Sequence, residues 1–387
     1  METQGASPFG PLAGIRVVDM TTVGMGPYAT QILGDMGAEV IKIEPPAGDV
    51  LRYTEPVRNV GMSACFLNLN RNKQFLVLDI KCDDDLAHLK ALIADADVFI
   101  SNVRPVSMRR YGLDYESLQA INPRLIYCGA YGYSEAGPYA GLPAFDDIIQ
   151  AKSGMAHFQG ANGGRGPQYV KTIMVDKIVG LTAAYVIPMA LYERERSGLG
   201  QAIEVPMFET MVSFLAVEHL AGKTFVSDGG PSGYPRVMSG HRKPYGTKDG
   251  HIALMPYTTA QWVRFFIVSG REDLTREPKY IDAAARNANI DELYAVVGDI
   301  LGGKSTADWL VLLAKADIPH SEVLTFDALL DDPHIQATNT LFEYDHPTQG
   351  RLRAAGIPTR FSRTPGGIRS WPSELPAHRH DDESNGG

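Results

Sequence analysis

Cysteine is scarce in this chain. Cys65, Cys82 and Cys128 are the only three among 387 residues, with no CxxC pair and no histidine nearby at zinc-site spacing. An odd, sparse set of thiols excludes a disulfide framework and fits a reducing compartment. Basic charge is also short: 36 Lys and Arg against 45 Asp and Glu leave a net charge of −9. General nucleic-acid binding is thereby disfavoured, because counterion release needs a concentrated basic surface. A small basic pocket for an anionic ligand remains open. The longest apolar run, Ile178 to Tyr192, is shorter than a membrane span and contains Pro188. The opening "METQGASPFGPLAG" lacks a basic region followed by an apolar core, so no secretory leader is expected. These absences predict a cytoplasmic protein with no membrane or nucleic-acid partner. HExxH and GxSxG are missing, and no GxGxxG follows the first predicted strand, which removes the usual zinc-protease, serine-hydrolase and dinucleotide signatures.

What is present is alternation. "GIRVVDM" reads as a strand, "YATQILGDMGA" as a helix and "EVIKIE" as the next strand. "FLVLDIK", a helix opened by Asp83 to Asp85, "ADVFIS" and "RLIYCGAYG" continue the series. Aspartates in a first turn suit the positive end of the helix dipole. Strand-helix-strand repetition implies a parallel sheet with helices on its faces and ligands at the strands' carboxyl ends. A long helix then runs from Asp176 to "LYERERSG", stopped by Gly198 and Gly200. After the strand "QAIEVPM" and the helix "FETMVSFLAVEHLAG", composition changes at "SDGGPSGYPRVMSG". This Gly-, Pro- and Ser-rich stretch marks a boundary or a functional loop. Beyond it, "HIALMPY" and helical patterns around Trp262, Leu293 and Trp309 suggest a smaller α/β unit. "FEYDH" and "RLRAAGIP" return to short strands, and the tail "HRHDDESNGG" reads as polar and disordered. The expected division is a large domain over 1–222, a smaller one over 223–335, and a segment over 336–387 that rejoins the first.

Several local patterns compete for function. "GDILGGKS", Gly298 to Ser305, satisfies GxxxxGK[ST], yet a phosphate loop needs a strand before it. Here Ile290, Leu293, Val296, Val297, Ile300 and Leu301 recur at helical spacing, so the pattern predicts helix, glycine turn, helix. "VGMGP", Val23 to Pro27, sits where the first strand hands over to the first helix, where amides favour phosphate or carboxylate. A tight turn would need those glycines in any case. Arg52, Arg71, Lys73, Lys81, Arg104, Arg109 and Arg110 fall near the expected ligand edge, and guanidinium groups suit phosphates. Any one of them could equally be an ordinary solvated cation. His378, His380, Asp381 and Asp382 resemble a metal cluster, but a polar tail lacks the outer partners that such a site needs. Ser63 and Ser153 have no identifiable base. That leaves Asp176, in "IMVDKIVGLTAAY", as the distinctive carboxylate beside an apolar element. It is either a helix N-cap or a reactive group aimed by a helix terminus.

Longer stretches carry more. "PLAGIRVVDMTTVGMGPYATQILGDMGAEVIKIEPPAGD", "FLNLNRNKQFLVLDIK", "DVFISNVRPVSMRRYGL", "INPRLIYCGAYGYSEAGPYAGLPAFDDIIQAKSG" and "ALYERERSGLGQAIEVPMFE" resemble the family III CoA-transferases over nearly the whole chain. The resemblance implies an α/β protein with a large Rossmann-like parallel-sheet domain and a smaller inserted α/β domain, assembled as an interlocked homodimer. It implies acyl-CoA and free carboxylic acids as substrates, with coenzyme A as substrate and product and no tightly bound cofactor or metal. Asp176 matches the aspartate that attacks the thioester, passing through an aspartyl-acyl anhydride and an enzyme-CoA thioester. Gly24, Met25, Leu78, Lys81, Asn102, Val103, Arg104 and Arg110 match positions that line the CoA site. "DGGPSG", Asp228 to Gly233, falls where some members carry a mobile loop over the intermediate.

The sequence also departs from the family pattern. Val103 and Val106 replace an aromatic and a glycine in the "NFRPG" segment, Pro45 and Pro46 follow "IKIE", and "PAHR" stands for a C-terminal "GEHT". The α-methylacyl-CoA racemases share the resemblance and are the enzymatic alternative. They pair the same aspartate with a histidine, whose place in "AFDD" is taken by Phe145. Phenylalanine cannot be a general base, which favours transfer. A non-catalytic CoA-binding protein is the remaining reading, and the retained Asp176 speaks against it.

Overall fold

The computed structural model describes residues 9–161 and 166–378, so Arg379, His380, Asp381 and Asp382 of the polar tail lie outside the described residues. The chain divides into two compact units. The first comprises residues 1–155, 169–214 and 334–387, and the second 156–168 and 215–333.

In the first unit, β1 (Arg16–Met20) leads into α1 (Met25–Asp35) and β2 (Glu39–Glu44), followed by β3 (Lys73–Val77) and α2 (Asp83–Ala94). Next come β4 (Val98–Ser101), a short helix α3 (Pro105–Tyr111), β5 (Ile126–Tyr131) and α4 (Asp146–Lys152). The long helix α5 (Met174–Ser197), β6 (Gln201–Pro206) and α6 (Met207–His219) complete the series. All six strands pair in parallel, in the order β3-β2-β1-β4-β5-β6. That is the Rossmann order, with its reversal between β1 and β4. Val17, Val18, Val98, Phe99 and Ile100 are fully buried, as expected of β-branched and aromatic strands covered on both faces. The sheet's apolar layer continues into Leu89 and Ile93 of α2.

Helix α5 buries Val175, Val179, Ala183, Ile187 and Leu191, a helical repeat that forms one face. Gly198, in the left-handed conformation, ends it by donating its amide to the Arg194 carbonyl at 2.8 Å. Arg194 in turn pairs with Asp97 at 2.8 Å. Both ends extend beyond the apolar run, so by length and composition α5 could cross a membrane. Here its buried face packs on α1 and the sheet. Gly180 permits that closeness, because a side chain there would stand 2.7 Å from the Met25 carbonyl.

In the second unit, β7 (Tyr245–Gly246), β8 (His251–Leu254) and β9 (His320–Glu322) form an antiparallel sheet. Against it lie α7 (Thr259–Val268), α8 (Ile290–Leu301) and α9 (Thr306–Lys315), which supply Phe265, Phe266, Leu293 and Trp309 to one core. The phosphate-loop lookalike is the joint between α8 and α9: Gly302 closes one helix and Ser305 caps the other. The unit begins within α6 rather than at 223, and it takes in 156–168. Helix α6 runs straight through that boundary, and the composition change that signals the division follows only after the helix has ended. Finally, β10 (Leu341–His346) and β11 (Gly350–Ala355) pair as a hairpin in the returning segment of the first unit.

Candidate active site

Where the sheet order reverses, the chain must leave β1 and β4 in opposite directions, and a crevice opens between the two exits. A cleft of about 410 Å³ lies there, lined among others by Thr22, Gly24, Asn102, Arg104, Phe145 and Asp176. The Asn102 side chain clips the two exits together. Its oxygen accepts the Thr22 amide at 3.1 Å, and its nitrogen donates to the Thr22 carbonyl at 2.8 Å.

The next residue, Val23, has φ of +68°. A β-branched residue in the left-handed region is strained and persists only where its surroundings hold it. Asp49 provides that hold, accepting the Val23 amide at 3.1 Å. Behind it, buried Lys42 donates to Asp49 at 3.1 Å and to the Thr21 carbonyl at 2.6 Å. The turn is thus gripped by Asn102 on one side and by Asp49 on the other.

Gly24 ends the turn as the cap position of α1, facing the first turn of α5. A methyl group built on it would lie 2.5 Å from Asp176 Oδ2. Asp176 is not an N-cap, the first of the two readings that its sequence allows. Ile173 holds that position and Asp176 is the third helical residue, because α5 starts two residues earlier, at Met174. Its side chain is therefore free of capping duty. Burial and the neighbouring Asp146 carboxylate push its pKa up to about 7. The next residue, Lys177, donates to Thr172 Oγ1 at 2.5 Å.

Gly24, Met25, Asn102, Val103 and Arg104 all line the cleft with Asp176. Leu78, Lys81 and Arg110 do not. Leu78 is buried in the apolar layer with Ile43 and Phe99. Lys81 is exposed before α2, and Arg110 is exposed on α3 with its guanidinium 5.7 Å from the Tyr111 ring.

The basic cluster read from the sequence separates in the same way. Arg52 is fully buried and grips Glu44 through two bonds, at 2.8 and 2.6 Å. Arg71 grips Asp35 at 2.6 Å, and Lys73 reaches Asp19 at 3.2 Å. Desolvation lowers Lys73 to about 8 against the pull of Asp19. These three hold the fold together and are not available to a phosphate.

Ser63 caps the helix Ala64–Leu69. His378 lies 2.7 Å from Asp85, and among the described residues no cluster of His, Cys, Asp or Glu could hold a metal. "DGGPSG" folds back on the end of α6, where the Gly233 amide donates to the His219 carbonyl at 2.9 Å. Sequence reasoning missed Asp146 and Gln150. Asp146 accepts the Asp176 amide at 3.0 Å, and the only local hint was their four-residue spacing at the start of a short helix.

A Rossmann-order sheet with a buried carboxylate in the cleft at its switch point defines an α/β protein whose ligand site lies at the strands' carboxyl ends. The chain belongs to CoA-transferase family III, which it matches over residues 12–379, and it is an enzyme that transfers coenzyme A. It is 34% identical over 376 residues to the acetyl-CoA:oxalate CoA-transferase of Acetobacter aceti, covering 93% of this chain and 92% of that one. The mouse (Mus musculus) succinyl-CoA:glutarate CoA-transferase is 32% identical, with coverage of 91% and 81%. A crystal structure of a CAIB/BAIF family protein from Brucella suis matches with TM-score 0.79 and 29% identity over 97% of this chain and 98% of its own. That of Rv3272 from Mycobacterium tuberculosis gives 0.81 and 27% over 95% and 97%.

Proposed function

We propose that this enzyme moves CoA from an acyl-CoA thioester to a free carboxylic acid, with Asp176 as the nucleophile. The observation that carries the reading is the Asp176 carboxylate, buried at the switch-point cleft and pressed against the bare Cα of Gly24. A glycine there lets a thioester carbonyl approach where a side chain would block it.

One Asp176 oxygen attacks the thioester carbon. The C–S bond breaks, its electron pair leaves with sulfur, and an aspartyl-acyl anhydride remains. The thiolate then attacks Asp176 Cγ, releasing the donor acid as its carboxylate and leaving CoA on the aspartyl carbonyl. An acceptor carboxylate attacks that thioester, and the steps run in reverse. Carboxylates are weak nucleophiles in water, so burial and positioning supply much of the rate. The first turn of α1 offers backbone N–H groups where oxyanion charge develops. Arg104, exposed at the rim, suits a nucleotide phosphate. Racemisation would need a histidine working with Asp176, and Phe145, which lines the cleft, stands in that histidine's place in "AFDD".

Relatives named for oxalate and glutarate make those acids the first acceptors to try. Acetyl-CoA or succinyl-CoA followed by borohydride should leave a reduced residue at Asp176, located by peptide mass. Asp176→Ala should lose both the adduct and CoA exchange into the acids. Exchange that survives in the alanine variant places the nucleophile elsewhere.

The same reading implies a homodimer. Leu181, Tyr185, Met189 and Tyr192 form an exposed apolar stripe along α5, which a second copy would cover. Light scattering should give twice the chain mass, and Met189→Glu should reduce it.

A further inference from the structure

Helix α5 lacks a cap of its own. Ile173, at the cap position, offers no side-chain acceptor to the first-turn amides. The acceptor comes from another helix: Asp146 Oδ2 takes the Asp176 amide at 3.0 Å. The other Asp146 oxygen takes Gln150 Nε2 at 2.5 Å, and Gln150 Oε1 accepts the Val170 amide at 2.9 Å. Both residues are buried, Asp146 at 7% exposure and Gln150 at 1%. Two points of α4 therefore grip the chain on either side of the entry into α5.

We propose that Asp146 is a positioning residue for the nucleophile, holding the Asp176 backbone in place while its negative charge keeps the Asp176 carboxylate poorly stabilised and hence reactive. The inference rests on Asp176 being the attacking group.

Its physical basis is a competition for the helix terminus. An anion in the first turn of a helix is ordinarily stabilised by free amides and by the dipole. Here the amide of Asp176 is already committed to a second carboxylate, and that carboxylate repels the first. Burial and Asp146 together raise the Asp176 pKa. Other charged or titratable groups nearby do not offset this. Lys177 is turned to Thr172, and Asp147 and Lys152 are on the exposed side of α4. Tyr28 of α1 packs at Gly180, Cys128 lies buried in β5, and Tyr131 is held neutral by burial. Arg104 and Glu135 line the same cleft but are exposed to solvent, and Glu135 faces Arg109 at 3.4 Å.

Attack on a thioester removes this repulsion. A bond forms from Asp176 oxygen to the acyl carbon, the C–S bond breaks, and the charge leaves the carboxylate pair for the departing sulfur. Repulsion in the free enzyme is thereby relieved as acylation proceeds.

The test is Asp146→Asn, which retains an acceptor for the Asp176 amide and removes the charge. In the full-length enzyme with acetyl-CoA or succinyl-CoA, the pH midpoint of adduct formation should fall by about one unit or more. The plateau rate should fall by roughly tenfold, following the lower basicity of the nucleophile, with KM for acyl-CoA nearly unchanged. Adduct formation with an unmoved midpoint would overturn the proposal. Carbon-13 carboxyl titration of the free enzyme provides a readout independent of turnover. The resonance lost in Asp176→Asn should titrate lower in Asp146→Asn, and an unmoved resonance also overturns the proposal. An adduct on some other residue, with the resonance still shifting, would sink the nucleophile assignment and leave the carboxylate coupling standing.

Discussion

Gly24 and Asp176 lie so close that the α carbon of one forms the wall against which the carboxylate of the other rests. A methyl group on Gly24 would stand 2.5 Å from Oδ2, 3.1 Å from Cγ and 3.3 Å from Cβ of Asp176. The cap position of α1 and the first turn of α5 meet there, and the absence of a side chain on Gly24 lets them do so.

Gly24→Ala should therefore damage chemistry more than stability. The backbone at Gly24 has φ of −102°, which alanine adopts without strain. The carboxylate, at the end of a short side chain, is what must move. Displacing a reacting group by about 1 Å can cost on the order of 100-fold in rate. Single-turnover acylation should fall by about that factor while the thermal midpoint changes by only a few degrees. A variant that unfolds instead would show that the contact supports the fold rather than the aim of the nucleophile.

The raised pKa of Asp176 ties the protein's stability to pH. The folded value of about 7 exceeds the unfolded value near 4, so between them the native state binds more protons than the unfolded state. Stability contributed by this group therefore falls as pH rises through that window. Asp176→Asn, which cannot ionise, should be more stable than the parent above pH 7 by a few kcal/mol, and nearly equal to it below about pH 4. Urea denaturation at the two pH values measures the difference. Equal stabilities at high pH would mean that the carboxylate is better solvated than its burial implies.

Val23 offers a separate test of stored strain. Its left-handed backbone costs on the order of 1–3 kcal/mol, and glycine would relieve much of that while adding chain entropy to the unfolded state. Val23→Gly should change stability by less than about 1 kcal/mol, because relief of strain and the added entropy of the unfolded chain oppose each other. Its cost should appear in kcat, because a freer turn no longer fixes Gly24 against Asp176. A kcat equal to that of the parent would show that Asn102 and Asp49 alone fix the turn.

Much of this fold was legible because local pattern and tertiary role coincide. Val17, Val18, Val98, Phe99 and Ile100 are buried on both sheet faces, so their runs announce strands without reference to anything distant. Gly198 ends α5 where its conformation requires glycine. Asp146 was illegible for the opposite reason: its partner is thirty residues away, and the bond exists only once α4 docks beside α5. The role of Arg52, Arg71 and Lys73 stays open in the sequence because a cation facing a ligand and a cation facing a buried acid look alike there. What decides is whether Glu44, Asp35 and Asp19 reach them, and that depends on packing between separate elements.

The Arg52–Glu44 pair separates those two readings by experiment. Both side chains are fully buried, and Arg52 also donates to the Gly61 and Ser373 carbonyls at 3.1 Å, tying the returning C-terminal segment to the sheet. Glu44 also accepts the amide of Asp49, the residue that holds Val23, at 2.7 Å. Removing the Glu44 charge leaves a guanidinium buried without its counterion. Glu44→Gln should thus cost about 3–5 kcal/mol in chemical denaturation, with little dependence on salt because the pair is shielded from solvent ions. Arg52→Lys should cost less, since a charge remains, but it loses the two-point grip that a planar guanidinium makes. If Arg52 served a CoA phosphate instead, Arg52→Lys would raise KM for acyl-CoA with stability intact. Its full burial against Glu44 predicts the reverse: a less stable protein whose folded fraction binds acyl-CoA as the parent does.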